Sequence, residues 1–126
     1  MDLAPKTAAL RPVLEAMPGA VGAPMNAARG SRPLVVIYKV MGKTFAILGA
    51  RAEAFVILKC DPVLAETLRE QYAGVGHRTH LDRRFWIAVD LDADVPAEEV
   101  ERLAQHSYEQ VCAGLTRKQK AELAAA

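Results

Sequence analysis

The chain has 126 residues, of which 52% are hydrophobic and 25% charged, with a formal net charge of +1. That length suits one domain over residues 1–126, and the composition excludes wholesale disorder, collagen-like repeats and a charge-dominated tail. The charge balance gives no global case for a polyanion partner: the first 60 residues carry eight basic and three acidic side chains and the rest carry eight and twelve, so any such surface must be local.

From Thr7 to about Met17, Leu10, Val13, Leu14 and Met17 recur at spacings of three and four, which predicts an amphipathic helix with Thr7 as its N-cap and Pro18-Gly19 as its stop. Residues 20–33 hold two glycines and two prolines with little periodicity and read as a loop carrying Arg29 and Arg32. Leu34 to Val40 and Lys43 to Leu48 are rich in β-branched and aromatic residues and flank Met41-Gly42. They predict a hairpin that sets Tyr38 opposite Phe45 and Lys39 opposite Thr44, and Ala54 to Lys59 adds a third strand to an antiparallel meander. Asp61-Pro62 opens a second helix with Leu64, Ala65, Leu68 and Tyr72 inward, stopped by Gly74 and Gly76. A strand from Phe85 to Leu91 should bury Phe85, Ile87, Val89 and Leu91 and turn Arg84, Trp86, Ala88 and Asp90 the other way. A third helix runs from near Pro96 to about Cys112, with Val100, Leu103, Ala104, Ser107, Tyr108 and Val111 along one stripe. Thr116 and Gln119 have capping-box spacing for a short last helix.

The expected fold class is therefore α+β, an antiparallel sheet of about five strands with helices in a second layer. Apolar runs fall well short of the ~20 residues of a membrane helix and no signal pattern opens the chain, so a cytoplasmic protein without a membrane role is expected. Cys60 and Cys112 lie too far apart for a metal knuckle or redox pair and read as buried thiols.

The acidic run Asp90, Asp92, Asp94, Glu98, Glu101 matches several positions of a calcium loop, but Val95 stands where the loop needs glycine and a strand precedes it. Acidic residues also suit the first turn of any helix. His77, His80, His106 and Cys60 lack the paired spacing of a zinc site, and Ser107 beside His106 points about 100° away from it on a helix. No catalytic residue, metal or cofactor is expected. The segment with the clearest chemistry is Arg78, His80, Arg83 and Arg84 next to Trp86. Guanidinium groups fork onto phosphate, aromatic faces stack on bases, and Lys39, Lys43 and Lys59 on the meander extend the same surface.

Met17-Pro18-Gly19, Lys39-Val-Met-Gly-Lys-Thr-Phe45, Leu58-Lys59, Leu68-Arg69 with Tyr72, His80-Leu-Asp-Arg-Arg-Phe-Trp86, Ser107-Tyr108 and Leu115 follow one another along residues 7 to 123. In this order they resemble the MmcQ/YjbR-like family of small bacterial proteins. The resemblance implies a CyaY-like (frataxin-like) fold and, from a double-wing arrangement of strands, a DNA-binding role. It carries over Lys39, Lys43, Lys59, Arg69, His80, Trp86, Ser107 and Tyr108. Phe85 departs from it, standing where the family often has histidine, and the segment 20–33 is longer than usual. Frataxin's iron-binding acidic ridge has no counterpart, since the first helix offers only Glu15.

The expectation is thus a non-enzymatic DNA-binding module with weak sequence discrimination, acting through Lys39, Lys43, Lys59, Arg78, His80, Arg83, Arg84 and Trp86, as a monomer or weak homodimer. The alternative is a small-molecule or protein-interaction domain in which His80, Trp86, Ser107 and Tyr108 line a pocket between sheet and helix.

Overall fold

The computed structural model describes residues 5–26, 33–50, 53–78 and 81–125. In chain order it holds α1 (Pro5–Glu15), β1 (Ala20–Asn26), β2 (Pro33–Val40), β3 (Lys43–Gly49), β4 (Phe55–Lys59), α2 (Pro62–Gln71), β5 (Val75–Gly76), β6 (Trp86–Asp90), α3 (Ala97–Ala113) and α4 (Arg117–Ala125). The strands form one antiparallel sheet in the order β1-β2-β3-β4-β6-β5, which makes the fold α+β as expected but with six strands instead of five.

The sixth strand is a correction. Residues expected to be loop pair with β2 from Ala20↔Val40 to Met25↔Val35. Glycine and proline hid the strand, and each has a structural reason. A Cβ on Gly22 would sit 2.6 Å from the Tyr38 ring, so only glycine lets that ring lie against the neighbouring backbone. Pro24 is tolerated because β1 is an edge strand. The rest of the expected loop, with Arg29 and Arg32, lies outside the described residues.

Two more expectations fail near the start of the chain. Thr7 is the third residue of α1, not its cap, and is buried. In the hairpin, Met41 and Gly42 both take positive φ, 50° and 80°, as a two-residue turn between twisted strands needs, and Lys39 does pair with Thr44. Tyr38, however, pairs with Ala46, because a bulge leaves Phe45 without a partner across the ladder. Phe45 stays in the core all the same, edge-on to Tyr108 with ring centroids 5.4 Å apart.

Later elements follow their local signals. The Asp61 carboxylate accepts the N–H groups of Val63 and Leu64 at 3.1 Å each and caps α2. Thr116 and Gln119 exchange reciprocal capping bonds of 3.0 and 3.1 Å ahead of α4. All six stripe residues expected on α3 are buried. The strand expected from Phe85 begins at Trp86. Phe85 sits in a turn closed by its N–H to the Asp82 carbonyl, 37% exposed, and so does not join the core. Cys60 is buried, whereas Cys112 is only half-buried.

The buried apolar residues of α1, α2 and α3 join a single cluster with Val36, Tyr38, Val40, Leu48, Val56, Leu58, Ile87 and Val89 of the sheet, and Leu123 of α4 packs against it. These strand positions share one face by alternation, so the helices cover one side of the sheet. Among the described residues no helix is long and apolar enough to cross a membrane.

Candidate nucleic-acid interface

The other side of the sheet is set by the same alternation. Ala23, Ile37, Ile47, Ile57 and Ala88 stand opposite one another in a continuous row across β1, β2, β3, β4 and β6. Ile57 and Ala88 are buried within this row although neither belongs to the helix-side cluster. At its β1 margin Val21 is 66% and Met25 52% exposed.

Two residues further along each strand lies a second row. Lys39 faces Thr44, and Lys59 faces Trp86. The Cys60 N–H donates to the Phe85 carbonyl at 2.7 Å, so the adjacent pair Lys59↔Trp86 is of the non-hydrogen-bonded type, in which side chains stand closest. Trp86 is half-buried and Lys39 exposed. Neither Lys39 nor Lys59 has a carboxylate partner among the described residues. At strand spacings of ~4.8 Å, the row from Lys39 to Trp86 spans roughly 14 Å.

The third row, at the opposite end of the face, is already satisfied. Phe55 faces Asp90, and the Arg78 guanidinium lies 3.9 Å over the Phe55 ring while pairing with the Glu53 carboxylate. Arg78 therefore belongs to a neutralised corner distant from Trp86.

The remaining cations disperse. Lys43 reaches round to the helix layer, where its ammonium donates to the Gly114 carbonyl at 3.1 Å, so it is not on the face with Lys39 and Lys59. Arg83 and Arg84 precede β6 in a turn, outside the strand alternation. Asp82 binds both Arg84 Nε, at 3.2 Å, and its terminal nitrogen, at 2.9 Å, and this hydrogen-bonded pairing holds the Asp82 carboxyl below its usual range. His80 lies outside the described residues. Of the eight residues expected to form one surface, the sheet gathers Lys39, Lys59 and Trp86.

Ser107 and Tyr108 do not join Trp86 in a pocket. Ser107 is fully buried, its hydroxyl accepting the Lys59 N–H at 2.8 Å and donating to the Phe45 carbonyl at 2.5 Å. It clips α3 to the two strands beside the bulge. The Tyr108 hydroxyl donates to the Pro18 carbonyl at 2.5 Å, and burial pushes that phenol up to about 12. Both hydroxyls face inward, whereas Trp86 belongs to the uncovered side. Their place on the apolar stripe of α3 carried this signal in the sequence, since a polar residue there is normally satisfied inside the fold. Other candidates are engaged locally: His77 donates to the Leu81 carbonyl at 2.6 Å, His106 Nε2 accepts the Asp61 N–H at 3.2 Å, and burial, aided by the Asp61 charge, pushes the Cys60 thiol up to about 11.

Arg69 is tied to the backbone instead of to a carboxylate. Its guanidinium donates to the carbonyls of Arg83 at 2.6 Å and Trp86 at 3.0 Å. β5 pairs with β6 only at Val89 and Ala88, so Arg69 supplies the hydrogen bond that a longer β5 would have given Trp86.

Comparison with known proteins gives a consistent set of matches. The sequence profile of the family described as YjbR matches residues 16–110. The protein of Escherichia coli (strain K12) described as "Uncharacterized protein YjbR" is 40% identical over 55 residues, 44% of this chain, and its counterpart in Escherichia coli O157:H7 gives the same figures. That match spans about half, 47%, of these relatives' length. The crystal structure of Deinococcus radiodurans protein DR2400, with a DUF419 domain, superposes with a TM-score of 0.78 at 27% identity, covering 91% of this chain and 85% of that one. A crystal structure of a Pseudomonas syringae protein superposes with a TM-score of 0.57 at 22% identity, over 71% of this chain and 86% of that one, and shares the fold.

Proposed function

The chain belongs to the YjbR family, and from the side of the sheet that its helices leave open we propose a non-enzymatic DNA-binding module with weak sequence discrimination. The observation that carries this reading is the Lys59↔Trp86 pair on the uncovered face, with Lys39 in the same row and an apolar row beside it. An indole next to ammonium groups that have no carboxylate partner among the described residues, beside an apolar row, offers stacking and phosphate contact together, and stacking tolerates any base. The non-enzymatic part is supported by the burial of Ser107 and Cys60, which leaves these nucleophile candidates turned away from solvent.

Trp86 is the only tryptophan in the chain, so its fluorescence reports on this face alone. Titration with a single-stranded oligonucleotide should quench it. With two lysines each meeting one phosphate, log affinity should fall with log salt at a slope of about −1.4 on single strands and about −1.8 on duplex. Absence of quenching at about 50 mM salt, or an affinity unchanged in a Lys39→Ala, Lys59→Ala double variant, would overturn the proposal.

A second reading, a small-molecule domain, has one observation in its favour. Leu10 of α1, Leu91, Val95 and Val100 of α3 line a mostly apolar cleft of about 170 Å³, with Lys6 and Glu101 at its rim. It lies away from the residues first expected to form a pocket. A metabolite panel that raises the melting temperature, with the rise lost in Leu10→Trp, would favour this reading over the first.

A further inference from the structure

A second group of arginines sits where α2 meets the turn leading into β6. Arg69, Glu66, Glu70 and Pro62 of α2 line a cleft of about 410 Å³ with Arg83 and Arg84. We propose that this cleft is an anion site that receives a phosphate monoester through Arg69 and Arg83. The inference stands independently of the sheet-face reading, because it uses neither Lys39, Lys59 nor the Trp86 ring.

Three observations support it. The first is preorganisation: one terminal nitrogen of Arg69 is tied to two backbone carbonyls, so the guanidinium is held in place, while its Nε is buried and has no hydrogen-bond partner among the described residues. A buried donor left without a partner is destabilising. The second is an unpaired guanidinium beside another. Asp82 neutralises Arg84, but the Arg83 guanidinium has no carboxylate partner among the described residues. Burial first, and then the like charge of Arg83, push the Arg69 pKa down from its usual value, and the Glu66 carboxylate enters only as a smaller opposing influence. Glu66 and Glu70 match the two arginines in formal charge, so what marks the cleft is the close approach of two guanidinium groups and not a net positive charge. The third is shape. A planar guanidinium matches a tetrahedral oxyanion in a fork, and two arginines on one cleft suit a dianion better than a singly charged carboxylate.

The test uses the full chain with inorganic phosphate as the first probe, followed by phosphorus NMR line broadening and by calorimetry. Saturable binding is expected, weakened at least ~10-fold in Arg83→Ala, whose side chain is exposed and makes no hydrogen bond or ion pair among the described residues, and unchanged in Lys39→Ala, Lys59→Ala. Arg69→Gln should abolish it, and because that variant also loses bonds to the β6 edge, Arg83→Ala decides the matter. Phosphate affinity unaltered in Arg83→Ala, or chloride displacing phosphate at equal concentration, overturns the site. A nucleoside 5′-monophosphate and oligonucleotides with and without a 5′-phosphate then identify the source. Preference for the phosphorylated strand end assigns the seat to nucleic acid, and binding of the mononucleotide alone assigns it to a free phosphorylated metabolite. Loss of DNA binding in the lysine variant with phosphate binding intact would separate this site from the sheet face.

Discussion

Two faces of one sheet carry nearly the same side chains and have different fates. On one, Val36, Leu48, Val56 and Val89 stand in a row beneath α1 and α3; on the other, Ile37, Ile47, Ile57 and Ala88 stand in a row with no helix over them among the described residues. Apolar character alone therefore does not select the buried side. What selects it is where the large side chains and the partners lie: Tyr38, Phe45, Leu14 and Leu58 fill the helix side, and Ser107 gives the backbone there its hydrogen bonds. The open face sets half-exposed Ile37 and Ile47 beside buried Ile57 and Ala88 at its centre and sends its lysines and indole to one end. The covered face thus provides stability and the open face is available for contact.

Substitutions should reveal this division in order of size. Phe45→Ala removes a fully buried ring that packs against Tyr108 and should cost about 3–5 kcal/mol in chemical denaturation. A loss below ~1 kcal/mol would mean the covered face is not the core it looks like. Ser107→Ala strands a buried N–H and leaves the Phe45 carbonyl without that donor, for an expected loss of about 1–3 kcal/mol by the same measurement, with no change in oligonucleotide affinity.

Alkaline pH acts on the same side. Burial pushes the Tyr38 phenol up to about 12, from about 10 when unfolded, with its hydrogen bond to Glu15 next in weight. The neutral phenol is the form the fold favours, so its contribution is complete below pH 10 and is lost as pH rises towards 12. Stability curves should fall across that window and flatten in Tyr38→Phe; a curve equally steep in the variant would assign the alkaline loss elsewhere. The smallest effect on stability belongs to the open face. Lys39→Ala should stay within ~0.5 kcal/mol of the parent while weakening oligonucleotide binding, and a larger destabilisation would show that this face is structural too.

How much of this was legible depends on the range of the interaction. The α3 stripe, the Asp61 cap, the Thr116/Gln119 box and the Met41-Gly42 turn are all set by residues within a turn or two of one another, and each was readable from spacing. β1 was hidden because Gly22 answers to the Tyr38 ring, 16 positions later, and not to its own neighbours. The candidate surface shows the same limit. Arg78, Arg83, Arg84 and Trp86 are close in sequence, yet Glu53 takes Arg78, Asp82 takes Arg84, and Lys43 crosses to Gly114. The Arg69 bonds to the carbonyls of Arg83 and Trp86 had no local trace, because they depend on how far β5 extends along β6.

The order of residues alone determined the α+β class, the meander and the helices with their inward stripes, since periodicity and capping act between neighbours a few positions apart. Tertiary structure decided which side of the sheet was left open, which cations stayed without a carboxylate partner on it among the described residues, and that Ser107 and Tyr108 turned inward. Those outcomes follow from strand register and side-chain pairing across 20 to 90 positions, and register is fixed only when the whole sheet assembles.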